Sequence, residues 1–458
     1  MNRTRAWTIA ALVGVASLTA ASCGDDDSNE TSGTTAAQAA TTAGAATTSG
    51  GGGATTTAGG QTTPSFDPAE NEASAPGVTE DTITIGLVTS VTGNAASTFA
   101  DTADGVRARL EAENAKGGVY GRRLVLEVAD DQSSPQTDLS AVQSLVEQKD
   151  SFAIVGYSPY LFGGFRYLQE NGIPVVGSGF DGPEWHQQPN TNMFSYSATD
   201  STKDAYTIYG EFLSRVGVTK MAGLGYGNSP SSSGSIKQLR ASVEQAGIEM
   251  AYENLTVPFG GVDFTTYALD MKSAGIDGAA CSCVQSSNLA MFTAIKQAQI
   301  PAKAMIAFSG PDNTVFGSPQ STSAAEGAFF QSAITPIVLE TEATKEYVAN
   351  LEQYAPSYEE GFPSFGQSGG YVSADLLIRG LWEAGQNPTR ESFIEGLSGV
   401  SDYDADGLLA TKIDFDRAKL EELPDTACTY FVQVKNGEWT VFDPEPICGE
   451  RIPGSAPD

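Results

Sequence analysis

From Thr82 onward the sequence predicts an α/β protein: two doubly wound parallel-sheet lobes with a ligand cleft between them. Short apolar runs of strand type alternate with segments of helical spacing. That alternation runs once over residues 82–199 and begins again near residue 200. Once a Gly/Thr/Ala-rich N-terminal stretch is set aside, roughly 380 residues remain, more than one hydrophobic core ordinarily serves.

In the first series, Ile83-Thr84-Ile85-Gly86-Leu87-Val88 reads as a buried strand. Phe99, Ala103, Val106 and Leu110 follow at helical spacing and stop at Gly117-Gly118. Leu124–Val128 is the next strand, and Ser134-Pro135 opens a helix carrying Leu139, Val142 and Leu145. Strands at Phe152–Val155 and Pro174–Val176 close the series. The second series opens with a helix near Ala205–Val216. Strands follow at Lys220–Leu224, Glu249–Leu255, Gly278–Val284 and Ala304–Phe308. No third complete series follows Gly327, so the rest must complete the two lobes. Its clear elements are a helix over Gly370–Ala384 and a terminal hairpin about Asn436-Gly437. The expected division is 79–199 with 328–409 for lobe 1, and 200–327 with 410–458 for lobe 2.

The N-terminus reads as an address. Arg3 and Arg5 precede an apolar run from Ala6 to Leu18 that is too short to span a bilayer comfortably, so residues 1–22 are expected to be an export signal. The ending Ala20-Ala21-Ser22-Cys23 resembles a bacterial lipobox, which implies lipid attachment at Cys23; ordinary cleavage near Ala21 or an unprocessed anchor are the alternatives. Residues 23–78, rich in Thr, Ala, Gly and Ser, are expected to form a disordered linker, too poor in large apolar residues to fold. The chain has 56 acidic against 25 basic residues, a net charge of −31, which argues against a nucleic-acid partner.

Four cysteines follow Cys23. The hairpin turn at Asn436-Gly437 brings Cys428 and Cys448 together, predicting a disulfide that closes a loop of about twenty residues. Cys281 and Cys283 share one face of an apolar strand and read as small buried side chains, with a bridge left open. With a single histidine and no second paired-cysteine motif, no metal site is expected.

Motifs for covalent chemistry are weak. Gly366-Gln367-Ser368-Gly369-Gly370 matches a nucleophile elbow, but no strand precedes it, and the only histidine, His186, lies far upstream where a loop residue is expected. Asp402–Gly407 matches half of a calcium loop, yet its twelfth position is Ile413. The glycines of Gly223–Gly227 have the wrong spacing for a dinucleotide. In open parallel sheets, ligands bind beyond the carboxyl ends of the strands. The loops there are rich in Ser, Thr, Gly, Tyr and Asn, with Thr92, Ser178 and Ser309 among the candidate contacts.

The chain resembles the type I solute-binding proteins of ABC importers, of the branched-chain amino acid (Leu/Ile/Val-binding) kind. The residues carrying this begin with Ile83–Val88 and Val91-Thr92-Gly93, then Glu113-Asn114-Ala115-Lys116-Gly117-Gly118-Val119-Tyr120-Gly121-Arg122-Arg123-Leu124 and Ala129-Asp130-Asp131-Gln132. Ile154–Ser158, Gly172–Val176 and Gly369–Asp375 complete the set. The resemblance implies two lobes joined by three crossovers that close on a small ligand by hinge motion. It implies no enzyme activity and no cofactor. Expected partners are a small molecule (an amino acid, amide or similar) and the membrane subunits of an ABC permease. The protein is expected to be a monomer, tethered as a lipoprotein to the outer face of the cell membrane and meeting the membrane only through that anchor. Ser158 and Gly179 fall where family members hold a carboxylate. Gln285 falls where an acidic residue usually takes the ammonium; because it is neutral, a free α-amino acid is disfavoured unless Asp200 or Asp204 substitutes. Tyr157, Tyr160, Phe180 and Tyr226 read as stacking walls or as lobe-core packing. A ligand sensor without a transport role and a serine hydrolase using Ser368 are the alternative readings.

Overall fold

The computed structural model describes residues 65–457. The expected export signal, the lipid-bearing Cys23 and most of the expected linker lie outside these residues.

The first sheet holds β1 (Thr82–Thr89), β2 (Arg123–Asp130), β3 (Ala153–Gly156), β4 (Val175–Gly177) and β5 (Met193–Ser195), in the order β2-β1-β3-β4-β5. Every pairing is parallel. Helices cover both faces, so the strands read as apolar runs. Ile83, Ile85 and Leu87 of β1 face one layer, while Val88 joins Ile154, Val175 and Trp185 in the other. Gly177 lets β4 lie close to β3, since a Cβ there would stand 2.2 Å from the Gly156 carbonyl.

The second sheet adds β6 (Lys220–Tyr226), β7 (Glu249–Val257), β8 (Gly278–Ser282), β9 (Ala304–Ala307) and β10 (Phe329–Ser332). Their order, β7-β6-β8-β9-β10, repeats that of the first sheet. An antiparallel extension follows: β11 (Thr426–Lys435) pairs with β10, and β12 (Glu438–Val441) folds back on its second half. β13 (Ile447–Glu450) pairs with the first half of β11, placing Cys428 opposite Cys448, and the two are joined. Cys281 and Cys283 are also joined to each other.

Several expectations need correction. β10 pairs with β9 in the second sheet, so residues 328–332 do not open the return to lobe 1. The later boundary also moves. Ile413 and Phe415 sit in the lobe 1 core, and the Arg417 guanidinium lies 4.1 Å from the Phe194 ring of β5, so the chain leaves lobe 1 after residue 417 rather than at 410. Residues 65–78 are not free linker. Phe66 meets the Tyr120 ring at 5.5 Å, and the Asn71 amide donates to the carbonyls of Glu80 and Tyr120 at 3.1 and 3.0 Å. The buried Arg122 donates to the Glu72 carbonyl as well. The helix expected over Gly370–Ala384 spans Phe365–Glu383, started by a capping box between Ser364 and Gln367. Among the described residues no helix is long and apolar enough to cross a membrane.

Candidate functional site

Loops at the carboxyl ends of the strands meet across the two sheets. After β1, the short helix Ala96–Phe99 presents Thr98 and Phe99. The loops after β3 and β4 contribute Pro159, Gly179 and Phe180, and the N-terminus of the helix Phe365–Glu383 contributes Phe365. Lobe 2 answers with Tyr226 at the end of β6, Cys283 and Val284 after β8, Phe308 and Ser309 after β9, and Phe259 from the loop after β7. Together they enclose a cavity of about 250 Å³. The crossover residues Ser197, Thr199 and Ser201, with Ser229, Ser231, Ser232 and Ser235 around the start of the helix Pro230–Gln245, complete a hydroxyl-rich side.

The lobe 1 wall is an aromatic cluster. Phe99, Tyr157, Phe180 and Phe365 pack with ring centroids 5.1 to 5.9 Å apart, distances at which aromatic pairs attract. On lobe 2, Tyr226 and Phe259 meet at 4.5 Å and Tyr209 stacks on Phe308 at 5.2 Å. The lobes touch directly. The Gln285 backbone N–H donates to Thr98 Oγ1 at 3.3 Å, the Phe362 N–H donates to Asn313 Oδ1 at 3.1 Å, and Tyr160 meets Phe259 at 5.8 Å.

Of the candidate ligand contacts named from the sequence, Gly179, Phe180, Tyr226 and Ser309 line the cavity. The others are not part of its lining. Tyr157 lies within the aromatic cluster. Ser158 is buried with its hydroxyl donated to the Asp131 carboxylate, which also accepts from Ser90 at 2.6 Å. Tyr160 anchors its own N–H on Ser158 Oγ at 3.0 Å. Exposed Thr92 donates to Asp130 at 2.6 Å, and Ser178 bonds the Tyr196 phenol. Gln285 is buried, with Oε1 accepting from Ser309 Oγ at 2.6 Å and Nε2 without a partner. Phe99, Phe259, Phe308 and Phe365 escaped the sequence reading. Phe99 gave a helix-spaced apolar signal that reads equally as core, Phe308 stood at the carboxyl end of an expected strand, and no local signal marked Phe259 and Phe365.

Among the described residues, no Asp, Glu, Lys, Arg or His lines the cavity. Neither expected substitute reaches it. Asp200 bonds His186 Nδ1 at 3.1 Å; burial pushes its carboxyl up, but the His186 contacts together with the Thr202 hydroxyl and N–H hold it below the usual range. His186 is accordingly paired and largely shielded, not a free loop residue. Asp204 accepts from the Ser455 N–H at 2.9 Å and lines a separate groove. Two acids flank the interlobe contact instead. Asp101 of lobe 1 is pushed up to about 6, first by burial and also by Asp312, against the Ser364 hydrogen bond. Asp312 of lobe 2 is raised by burial. A buried ammonium without a carboxylate costs far more than the roughly 2 kcal/mol a desolvated cation–π contact returns.

Ser368 lies inside the helix Phe365–Glu383, where its Oγ accepts from the Tyr347 phenol at 2.9 Å, with no strand before it. Asp402–Gly407 forms a turn in which Asp404 accepts from the Gly407 N–H and pairs with Lys412. Among the described residues, no three His, Cys, Asp or Glu side chains are grouped to hold a metal. Gly223–Gly225 is part of β6, not a phosphate loop.

The sequence profile of the family described as periplasmic binding protein matches residues 82–438. A Leu/Ile/Val-binding protein homolog 3 of Brucella melitensis is 24% identical over 200 residues, which cover 43% of this chain and 52% of that protein. An amino acid binding protein of Pseudomonas aeruginosa is 25% identical over 198 residues, covering 43% of this chain and 52% of that protein. The chain thus spans about half the length of the curated relatives it matches. Among solved structures, a fatty acid ABC transporter substrate-binding protein from Thermomonospora curvata superposes with a TM-score of 0.67 at 18% identity, covering 83% of this chain and 96% of that one. A solute-binding protein of R. palustris in complex with benzoate gives 0.66 at 15% identity, covering 82% and 98%. A branched-chain amino acid substrate-binding protein of Streptococcus pneumoniae in complex with isoleucine gives 0.64 at 18% identity, covering 81% and 99%. At these identities the structures speak for the fold.

Proposed function

The chain belongs to the periplasmic binding protein family, and we propose that it captures a small solute outside the cytoplasm and delivers it to the permease of an ABC importer. The observation that carries this reading is the cavity between the lobes, built from the carboxyl ends of both sheets and lined from both sides. A ligand there contacts both lobes only when they are together, so binding shifts the population toward the closed form, which the permease reads. No covalent step is needed, and the solute leaves unchanged.

Within this reading Gly179, Phe180, Tyr226 and Ser309 contact the solute. Tyr157, Ser158, Tyr160 and Gln285 hold those contacts in place from the layer behind, and Thr92 and Ser178 fix the loops. The protein acts as a monomer anchored through a lipid on Cys23. The ligands named for structural neighbours (a fatty acid, benzoate, isoleucine) are chemically unlike one another, so the solute has to be argued from this lining.

The test is retention followed by import. The purified protein is incubated with a metabolite extract, washed and unfolded, and the released small molecules are identified by mass spectrometry. Uptake of the retained compound is then measured in cells with and without the chain. Retention of an unaltered compound whose uptake falls at least tenfold without the chain is the expected result. Chemical conversion of the compound, or uptake indifferent to the chain, would refute the reading.

A further inference from the structure

We propose that the cleft takes an uncharged molecule with an aromatic or alicyclic ring at one end and several hydroxyl groups at the other, of the aryl glycoside type. This deepens the capture reading and rests on it. The ring end is set by Phe99 and Phe180 from lobe 1 with Phe259 and Phe308 from lobe 2, all lining one cavity.

The polar end is set by where the hydroxyl protons go. Ser197 Oγ donates to the Thr199 carbonyl at 2.8 Å and Ser235 Oγ to the Ser231 carbonyl at 2.9 Å. Ser232 Oγ donates to the Ser282 carbonyl while accepting from the Tyr226 N–H at 2.9 Å, and Ser309 Oγ donates to Gln285 Oε1 at 2.6 Å while accepting from Asn288 Nδ2 at 3.1 Å, so each keeps one lone pair. A hydroxyl whose proton is used in this way faces a ligand as an acceptor. The wall therefore asks for donors, which a polyol supplies along its whole length. Ser201 Oγ is shielded from solvent and has no partner, so a ligand hydroxyl would satisfy it.

The same wall rejects charge of either sign. A carboxylate only accepts, and it would enter a chain of net charge −31 through a lining without Lys, Arg or His. An ammonium would find acceptors but no carboxylate in the lining to balance it. Zwitterionic amino acids meet both objections.

Calorimetric titration of the purified protein with phenyl β-glucoside, benzoate, benzylamine, phenylalanine and leucine decides the matter. The glucoside is expected to bind at least tenfold more tightly than each of the other four. The Phe180→Leu variant, which keeps most of the packing volume, and the Ser231→Ala/Ser235→Ala variant should each weaken it fivefold or more; the serine variant should keep the thermal midpoint within about 2 °C. Equal or tighter binding of any charged probe, or no binding of the glucoside, overturns the proposal. Glucoside binding in a chain whose loss leaves import unaffected would refute the capture reading while this assignment stands. Leucine binding with chain-dependent leucine import would do the reverse.

Discussion

Both lobes use one strand order, yet they are built and lined differently. Lobe 1 brings an aromatic wall to the cavity and hides carboxyl groups behind it. Asp131, Asp138, Asp181 and Glu184 are all buried, and burial is the first cause raising each of them. Lobe 2 sets a hydroxyl-rich stretch beside its own rings Tyr226, Phe259 and Phe308, and adds the Cys428–Cys448 bridge and an antiparallel extension of its sheet. The shared scaffold places loop ends at the cleft, and the residues in those loops choose the ligand. The lobes also differ in what holds them: close helix contact and buried polar groups in the first, a covalent tie in the second.

The largest effect expected from that difference is on lobe 2. Replacing both Cys428 and Cys448 with Ala opens a loop of about twenty residues and should cost about 3 kcal/mol. Thermal unfolding should show a midpoint several degrees lower. Hydrogen exchange should show the loss concentrated in β10, β11 and β13, with lobe 1 unaffected. An unchanged midpoint, or loss spread evenly over both lobes, would break the contrast.

Lobe 1 should fail instead at a helix crossing. A Cβ on Gly105 would stand 1.9 Å from the Gln367 carbonyl oxygen, a backbone atom that cannot turn aside. Gly105→Ala therefore has to push the helices Thr102–Ala115 and Phe365–Glu383 apart, at a cost of about 2 kcal/mol or more. Because the second helix begins at the cavity-lining Phe365, ligand affinity should fall along with stability. Denaturant titration of Gly105→Ala, with a midpoint equal to that of the unmodified protein, would show that the crossing yields more easily than its geometry implies.

The buried acids give a pH signature. Asp101 titrates near 6 in the folded chain and near 3.8 when unfolded. Below about pH 4 both states carry the proton and nothing is lost. As pH rises toward 6 the unfolded state gains by releasing it, so stability falls, by an amount of order 2 to 3 kcal/mol. Asp101→Asn should flatten that part of the curve and be more stable than the unmodified protein at pH 7. If chemical unfolding gives parallel curves between pH 4 and 7, Asp101 is not the source.

How far the sequence carried this picture differs by region. The parallel strands and their helices are legible because both faces of each sheet are covered, which forces continuous apolar runs such as Ile83–Val88. The Cys428–Cys448 pairing is legible because the Asn-Gly turn folds the chain back along β11, although the strand that sets Cys448 opposite Cys428 is β13, three residues out of step with the β11–β12 hairpin. Residues 65–78 mislead because their composition is that of a linker, while what orders them is distant in sequence: Asn71 reaches Tyr120 and Glu72 reaches Asn387. β10 misleads for a related reason, since its place beside β9 is a nonlocal choice. The cavity was the least visible part. Phe99 carries the helical spacing of a core residue, and Phe365 follows a stretch without regular pattern. Only folding brings the end of the short helix at Phe99 and the helix start at Phe365 to the cleft.

The smallest effect tests the corrected boundary between the lobes. Arg417 lies over the Phe194 ring at 4.1 Å, and its Nη1 donates to the Met193 carbonyl at 2.7 Å. Burial lowers its guanidinium to about 10, with Asp416 and Asp414 opposing, so it stays charged at neutral pH. A partly desolvated cation–π contact with one hydrogen bond to a charged donor is worth about 1 to 2 kcal/mol. Arg417→Met keeps much of the stem and removes the charge, so it should cost about 1 kcal/mol and loosen β5 of lobe 1 while leaving the lobe 2 hairpin alone. Exchange protection lost in β11 and β12 instead of β5 would show that residues near 417 belong with the second lobe after all.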